Sequence, residues 1–167
     1  MTLERGSTIL VDTNIIIEAH RCGIWTSLCN GFHIVTVEKC VEETQTGYQN
    51  RKPEQTIGSG QLKETLHQIA TVSDTERANL QVQYVNAVSL DIGERELLAH
   101  ALAREDKFLV ASPDTAALRA AMALKLGDSM ISLEEMIEVL GIKPHLPLRS
   151  NYSRKWLSGK RTDILLS

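Results

Sequence analysis

The sequence predicts an α/β protein: a three-layer α/β/α sandwich around a central, mainly parallel sheet. Short apolar runs rich in branched residues alternate with segments of helical periodicity along the chain. That alternation is typical of a parallel sheet covered by helices on both faces. The chain has 167 residues, enough for one domain with a sizeable core, and it shows no internal repeat.

Five apolar runs predict the strands, at residues 8–11, 32–37, 69–72, 108–111 and 130–131. Helical segments follow them, at residues 14–19, 38–46, 61–67, 74–86, 116–126 and 133–140, with a further helix that begins near Gly93 or Glu94. The helix at residues 133–140 has the clearest start, because Ser132 and Glu135 have the spacing of a capping box. Asp74 is the expected N-cap of another. Glycines are expected to end three helices: Gly47, Gly127 and Gly141.

Two segments lack this periodicity. Residues 48–60 are polar and contain Pro53, Gly58 and Gly60, so we predict a loop that is long enough for a functional role. Beyond Lys143, two prolines interrupt regularity, and we predict an extended appendage. We therefore divide the chain into a domain at residues 1–142 and a C-terminal extension at residues 143–167.

Charge is distributed unevenly between these two parts. Up to Ile142 the sequence has 12 Lys and Arg against 20 Asp and Glu, a net charge of −8. The C-terminal extension has 6 basic residues and one acid, a net charge of +5. An acidic body suits divalent cations, and a basic end suits a polyanion. No run is long enough for a transmembrane helix and no signal peptide is evident, so we expect a cytoplasmic protein without membrane partners.

Carboxylates are placed where an α/β sheet binds its ligands, at the carboxyl ends of the strands. Asp12 ends the first strand and Asp114 follows the fourth by three residues. Glu94 opens the helix that comes before the fourth strand, and Glu42 and Glu43 lie in the helix at residues 38–46. Carboxylates that converge repel one another unless a cation neutralises them. Oxygen ligands without Cys or His favour Mg²⁺ or Mn²⁺, and two such ions can promote phosphodiester hydrolysis.

Four motifs resemble the PIN domain family in order and spacing over residues 8–141. They are ILVDTNIIIE, an acid in VEETQTG, LDIGERELLAHALA and FLVASPD. PIN domains have a Rossmann-like α/β fold and are Mg²⁺- or Mn²⁺-dependent ribonucleases, among them the toxins of toxin–antitoxin pairs. The resemblance implies an endoribonuclease that cleaves single-stranded RNA to 5′-phosphate and 3′-hydroxyl ends.

By position, the resemblance implies that four acids hold the metal and are catalytic: Asp12, Glu43, Glu94 and Asp114. It implies supporting roles for Asn14 and Ser112 through hydrogen bonds, and for Thr13 through the turn. Asn14 is also a candidate N-cap of the following helix. Three alternates stay open: Glu42 for Glu43, Glu96 for Glu94, and Asp128 as a further acid.

Partners follow from the same resemblance and from the C-terminal extension. We expect RNA as substrate, an antitoxin protein if the chain is a toxin, and a homo-oligomer, specifically a dimer. Basic residues interleaved with aromatics are candidates for RNA contact: Arg149, Tyr152, Arg154, Lys155 and Trp156.

Other functions fit the residues less well. Asn14 replaces the second acid that haloacid-dehalogenase-like phosphatases need, the turn after the first strand has no glycine for a dinucleotide, and no Gly-x-Ser-x-Gly elbow occurs. The alternative that stays open is a catalytically weak PIN-like scaffold that binds RNA or a protein.

Overall fold

Five strands form one sheet in the computed structural model, which describes residues 2–46 and 57–167. They are β1 (Thr8–Val11), β2 (His33–Val37), β3 (Gln68–Ala70), β4 (Leu109–Ala111) and β5 (Met130–Ile131). Their spatial order is β3-β2-β1-β4-β5, and each neighbouring pair is parallel. The predicted α/β class with a central parallel sheet is confirmed.

The helices pack on both faces of this sheet. They are α1 (Thr13–Arg21), α2 (Trp25–Gly31), α3 (Glu38–Gln45), α4 (Ser59–Thr65), α5 (Asp74–Gln83), α6 (Ile92–Ala103), α7 (Thr115–Ala123), α8 (Leu133–Leu140) and α9 (Arg154–Leu165). Single 3₁₀ turns lie at Val85–Ser89, Gly127–Ser129 and Ser150–Tyr152. None of the helices within the described ranges has the length and apolar character to cross a membrane.

Side-chain alternation along β1 divides the core into two layers. Ile9 and Val11 pack with α1, α2 and α8 on one face of the sheet. Leu10 packs with α5, α6 and α7 on the other face. Strand β1 lies at the centre of the sheet, between β2 and β4, so its carboxyl end at Val11 is surrounded by protein. A side chain that follows Val11 is therefore buried.

Several helix ends differ from the predictions. Ser73, not Asp74, is the N-cap of α5, because its hydroxyl accepts the Glu76 N–H within a capping box. Helix α7 ends at Ala123, and the left-handed residue behind it is Lys125 (φ 63°), not Gly127. The predicted loop is shorter than residues 48–60, since α4 begins at Ser59. Gly47, the glycine expected to end a helix, and residues 48–56 of the predicted loop lie outside the described residues.

Other caps agree with the sequence. Ser132 and Glu135 form the predicted capping box at the start of α8. Gly141 follows α8 with φ 65°, the left-handed conformation that glycine adopts without a steric penalty.

The C-terminal extension is not the extended appendage that its prolines suggested. It contains α9, which packs against α7 and α8, and it buries Tyr152 and Leu157. The Arg161 guanidinium donates to the carbonyls of Gly127 and Met130, so α9 is also held at the start of β5. The prolines precede the helix, and the apolar contacts of α9 supply the stability that its sequence alone does not indicate.

Candidate functional site

Asp12 follows β1 directly and is 2% exposed. One carboxylate oxygen accepts the Ile15 N–H at 2.9 Å, so Asp12 is the N-cap of α1. The other accepts the Ser112 hydroxyl at 2.7 Å. The suggestion that Asn14 caps this helix was wrong: Asn14 is the second residue of α1 and is exposed.

Ser112 joins the ends of β1 and β4. Its hydroxyl donates to Asp12 and accepts the Asp114 N–H at 3.3 Å. Asp114 in turn caps α7, because its carboxylate accepts the Ala117 N–H at 3.0 Å. Two helices therefore begin side by side at this edge of the sheet, each capped by a carboxylate, with one serine between them.

Glu94 lies in the first turn of α6 and is 7% exposed. Burial, together with the negative charges of Asp114 and Asp12, raises the pKa of Glu94 to about 8. Burial also raises the pKa of Asp12 to about 6, against the hydrogen bonds from Ile15 and Ser112 that favour its charged form. Asp12, Glu94 and Asp114 are thus close enough to repel one another.

Glu43 lies beside the same group, at the junction of α1, α3 and α6. Its carboxylate accepts the Thr13 hydroxyl at 2.8 Å and the Gly93 N–H at 3.2 Å. Glycine at position 93 permits this close approach, because a Cβ there would lie 2.6 Å from a Glu43 carboxylate oxygen and would displace it. The buried thiol of Cys40 lies near both Glu43 and Asp12, since both charges contribute to raising its pKa to about 12, mainly an effect of burial.

The alternates lie elsewhere. Glu42 is turned toward solvent and pairs with Lys39 at 3.2 Å. Glu96 forms an ion pair with Arg77 at 2.7 Å. Asp128 lies in the 3₁₀ turn that precedes β5, and so at the opposite edge of the sheet from Asp12. The geometry therefore favours Glu43 over Glu42 and Glu94 over Glu96.

The site is acidic. None of Asp12, Glu94 and Asp114 forms an ion pair with a residue that the structure describes. In residues 2–46 and 57–167, no three His, Cys, Asp or Glu side chains are arranged so that they could hold a metal ion. The chemistry of the donors, four carboxylates of which Asp12 and Glu94 are buried with raised pKa values, fits a hard divalent cation such as Mg²⁺ or Mn²⁺.

The three residues expected to support the site, Thr13, Asn14 and Ser112, differ in the hydrogen bonds that their side chains make. Thr13 and Ser112 hydrogen-bond the carboxylates of Glu43 and Asp12. Asn14 instead offers its backbone carbonyl to the Tyr152 hydroxyl at 3.3 Å, and no described residue hydrogen-bonds its side chain. Gly93 was missed by the sequence reasoning as a contact of Glu43, although a glycine directly before an acid in a first helical turn was a usable signal.

The C-terminal candidates divide into two groups. Tyr152 is buried, and it lines a narrow crevice together with Trp156, Ser112 and Pro113. Arg149, Arg154 and Lys155 are exposed. Comparison with known proteins gives no match, either among models of protein families or among curated proteins.

Proposed function

We propose that the protein is a Mg²⁺- or Mn²⁺-dependent endoribonuclease of the PIN type that cleaves single-stranded RNA. One observation carries the proposal. Carboxylates from four separate segments lie at the carboxyl edge of one parallel sheet, three of them repel one another, and two are buried. Buried like charges cost free energy, so their retention without a described basic partner is best explained by a cation.

Asp12, Glu43, Glu94 and Asp114 are the residues that would hold the metal. When bound, the ion supplies Lewis acidity and lowers the pKa of a water that attacks the phosphodiester. The Ser112 hydroxyl donates to the Asp12 carboxylate and accepts the Asp114 N–H. The Thr13 hydroxyl donates to the Glu43 carboxylate. These hydrogen bonds fix the orientation of Asp12 and Glu43, and the four carboxylates would move closer together to share an ion.

RNA is favoured as the substrate by the basic C-terminal extension. The extension has a net charge of +5, and its Tyr152 and Trp156 line a crevice together with Ser112 and Pro113. A polyanion that binds there has its backbone next to the carboxylates. By the resemblance to PIN domains, the products carry 5′-phosphate and 3′-hydroxyl ends.

Two pairs of acids that lie close in sequence, Glu42 with Glu43 and Glu94 with Glu96, offer matched tests. We expect Glu43→Gln and Glu94→Gln to lower Mn²⁺ affinity and RNA cleavage by at least about 100-fold, since even outer-shell changes cost about 10–100-fold. Glu42→Gln and Glu96→Gln serve as controls and should retain wild-type values. Calorimetry with Mn²⁺ and cleavage of an end-labelled single-stranded RNA measure the two effects.

Asp12→Asn gives the complementary test of the same site. Asparagine caps helices as well as aspartate does, so the fold should survive while cleavage is lost. Full cleavage by folded Asp12→Asn protein would contradict the mechanism. Wild-type protein that binds RNA but neither binds Mn²⁺ nor cleaves would instead support the scaffold alternative.

A role as a toxin with an antitoxin partner and a dimeric state are further parts of the proposal. Expression in cells should arrest growth, and co-expression of a small neighbouring gene should relieve the arrest. Light scattering of the purified protein measures whether it is a dimer.

A further inference from the structure

The C-terminal extension is bound to α1 through the buried carboxylate of Glu18. This carboxylate accepts two hydrogen bonds from the Arg21 guanidinium, at 2.7 and 2.9 Å. It also accepts the backbone N–H of Arg149 at 2.9 Å. Arg21 donates in addition to the Pro147 carbonyl at 2.8 Å. Glu18 and Arg21 thus fix the path of residues 147–149.

Further contacts extend this path along the whole of α1. At one end, the His145 N–H donates to the Cys22 carbonyl at 2.8 Å. At the other, the Tyr152 hydroxyl donates to the Asn14 carbonyl at 3.3 Å. Residues 145–152 therefore run antiparallel to α1, from its C-terminal end to its first turn. They end at the sheet edge where β1 leads into α1.

Tyr152 meets α1 at the same peptide group that binds Asp12. The carbonyl of this group belongs to Asn14 and accepts the Tyr152 hydroxyl. Its N–H belongs to Ile15 and donates to the Asp12 carboxylate at 2.9 Å. A peptide group is planar and trans, so its carbonyl and its N–H point in opposite directions. The two hydrogen bonds therefore hold this plane between Tyr152 and Asp12, and a bond to the carbonyl strengthens the N–H as a donor.

Tyr152 also lines the crevice that borders the second donor to Asp12. This donor is the Ser112 hydroxyl, at 2.7 Å from the carboxylate. The crevice is lined by Tyr152 together with Ile15, Ser112 and Pro113, and it is too narrow to hold a water molecule. Asp12 and Tyr152 are 2% and 6% exposed. On this side of the site, the extension therefore keeps water away from both hydrogen bonds that orient Asp12.

The hydroxyl of Tyr152 remains a donor because it keeps its proton. Burial, together with the negative charges of Asp12 and Glu18, raises the pKa of the Tyr152 phenol. A phenylalanine ring would fill the same space, but it would have no hydroxyl for the Asn14 carbonyl. The hydroxyl is therefore the part of Tyr152 that links the extension to Asp12.

We propose that Tyr152 is a positioning residue for the metal site, which holds the Asn14–Ile15 peptide group and through it the Asp12 carboxylate in the orientation that binds the ion. The inference rests on the proposed function and adds to it a residue of the C-terminal extension. Tyr152 acts through Asp12 and does not touch the ion. The extension is then a part of the metal site and not only a cover for α1.

Tyr152→Phe removes the hydroxyl and keeps the ring, so it tests this link directly. Calorimetric titration of the full-length protein with Mn²⁺ should give an affinity about three- to tenfold lower than that of the wild type, the effect of one hydrogen bond. The stoichiometry of binding should be that of the wild type. A loss of structure would instead lower the fraction of protein that binds Mn²⁺ and leave the affinity of that fraction unchanged.

RNA cleavage gives a second measurement that separates positioning from a structural role. Tyr152→Phe should raise the Mn²⁺ concentration needed for half-maximal cleavage by the same factor as the loss of affinity. The rate at saturating Mn²⁺ should stay within about twofold of the wild type, as expected when only binding is weakened.

Two variants serve as controls. Tyr84→Phe makes the same chemical change against the other core layer, on the face of the sheet opposite to α1. Leu140→Ala removes a buried side chain that lies against Gly31, at the end of α2. Because it leaves a cavity, it should lower the temperature of thermal unfolding more than Tyr152→Phe does. Neither control should change the affinity for Mn²⁺.

The outcomes distinguish the positioning role from the proposed function. If wild-type protein binds Mn²⁺ and cleaves RNA, but Tyr152→Phe binds Mn²⁺ as tightly, the positioning role is wrong and the nuclease proposal stands. Equal losses of affinity in Tyr152→Phe and Leu140→Ala have the same meaning, because affinity would then follow stability and not the link to Asp12. If wild-type protein binds no Mn²⁺ and cleaves no RNA, the proposed function fails and the positioning role fails with it.

Discussion

Asp12 has both carboxylate oxygens engaged by donors of the protein, Ile15 N–H on one and the Ser112 hydroxyl on the other. These bonds favour its charged form and partly offset the burial that raises its pKa. The same bonds fix its orientation. Asp12 is thus the cap of α1, and in the proposed function the same two bonds hold it in one orientation as a metal ligand.

Gly93 permits the carboxylate of Glu43 to approach the backbone of α6. We expect Gly93→Ala to displace that carboxylate and to lower Mn²⁺ affinity about tenfold, an effect typical of changes behind a ligand. The fold should be retained, because alanine favours a helix by up to about 1 kcal/mol over glycine and the displaced group is the end of a flexible side chain.

Gly60→Ala is the matched control for this change. Gly60 is also the second residue of its helix, and nothing lies within 4 Å of a Cβ built there. It should leave Mn²⁺ affinity unchanged in calorimetry. Unchanged affinity in Gly93→Ala as well would mean that the position of the Glu43 carboxylate does not matter for metal binding.

At the scale of elements, α1 and the C-terminal extension depend on one another through Glu18. Glu18→Gln should lower the free energy of unfolding by about 2–4 kcal/mol, because it removes the buried negative charge that pairs with Arg21. Arg149→Ala is a milder change and should cost less than about 1 kcal/mol. Its guanidinium is 3.7 Å from Glu18 and 54% exposed, and its backbone N–H is kept.

Urea unfolding measures both costs, and limited proteolysis shows where the structure loosens. Cleavage in Glu18→Gln should increase between Lys143 and Ser153 before it increases in the sheet. A Glu18→Gln protein as stable and as protease-resistant as the wild type would show that the extension is held by its apolar contacts alone.

Elements were predictable from sequence where their signals are local. The strands are short apolar runs, and the capping box of α8 lies within four residues, so both were found. Helix α9 was missed because Arg154 and Lys155 in its first turn oppose the helix dipole. Glu134 and Glu138 of α8 relieve this: Glu134 accepts the Arg154 N–H and Glu138 pairs with its guanidinium.

The candidate site was predictable in part for a similar reason. Strand topology alone brings the residues after β1 and β4 together, so Asp12 and Asp114 follow from the fold. The choice between Glu42 and Glu43 does not follow from the strand topology, because it depends on which side of α3 is turned toward the site. Only the contacts of Glu43 with Thr13 and Gly93 decide between them.

At the scale of the whole molecule, the raised pKa values of Asp12 and Glu94 couple stability to pH. The folded protein keeps protons that the unfolded chain loses above a pH of about 4. In the absence of divalent ions, Asp12 and Glu94 contribute stability below that pH. This contribution is lost as the pH rises through about 6 for Asp12 and about 8 for Glu94. Glu18 acts in the opposite sense, because its ion pair lowers its pKa and its contribution is lost in acid.

We therefore expect metal-free protein to become less stable between pH 5 and pH 8, and Mn²⁺ to restore stability at pH 8. Glu94→Gln should raise the free energy of unfolding at pH 8 without metal by about 1–3 kcal/mol, with a much smaller effect at pH 5. Urea unfolding in a chelator at the two pH values measures this.

Glu96→Gln is the control for that measurement and should give no such gain, since Glu96 is paired with Arg77. Wild-type stability that is equal at pH 5 and pH 8 in the chelator would contradict the raised pKa values that burial and repulsion give Asp12 and Glu94.

The path of residues 145–152 along α1 also has a consequence for the order of folding. Glu18 and Asn14 meet partners 131 and 138 positions later in the chain. Loop closure over such separations is slow compared with the formation of a helix and its neighbours. A growing chain that ends before these partners already contains the four acids, yet its first helix lacks part of its packing. Helix α1, which Asp12 caps, therefore completes its packing only after the far end of the fold has been synthesised.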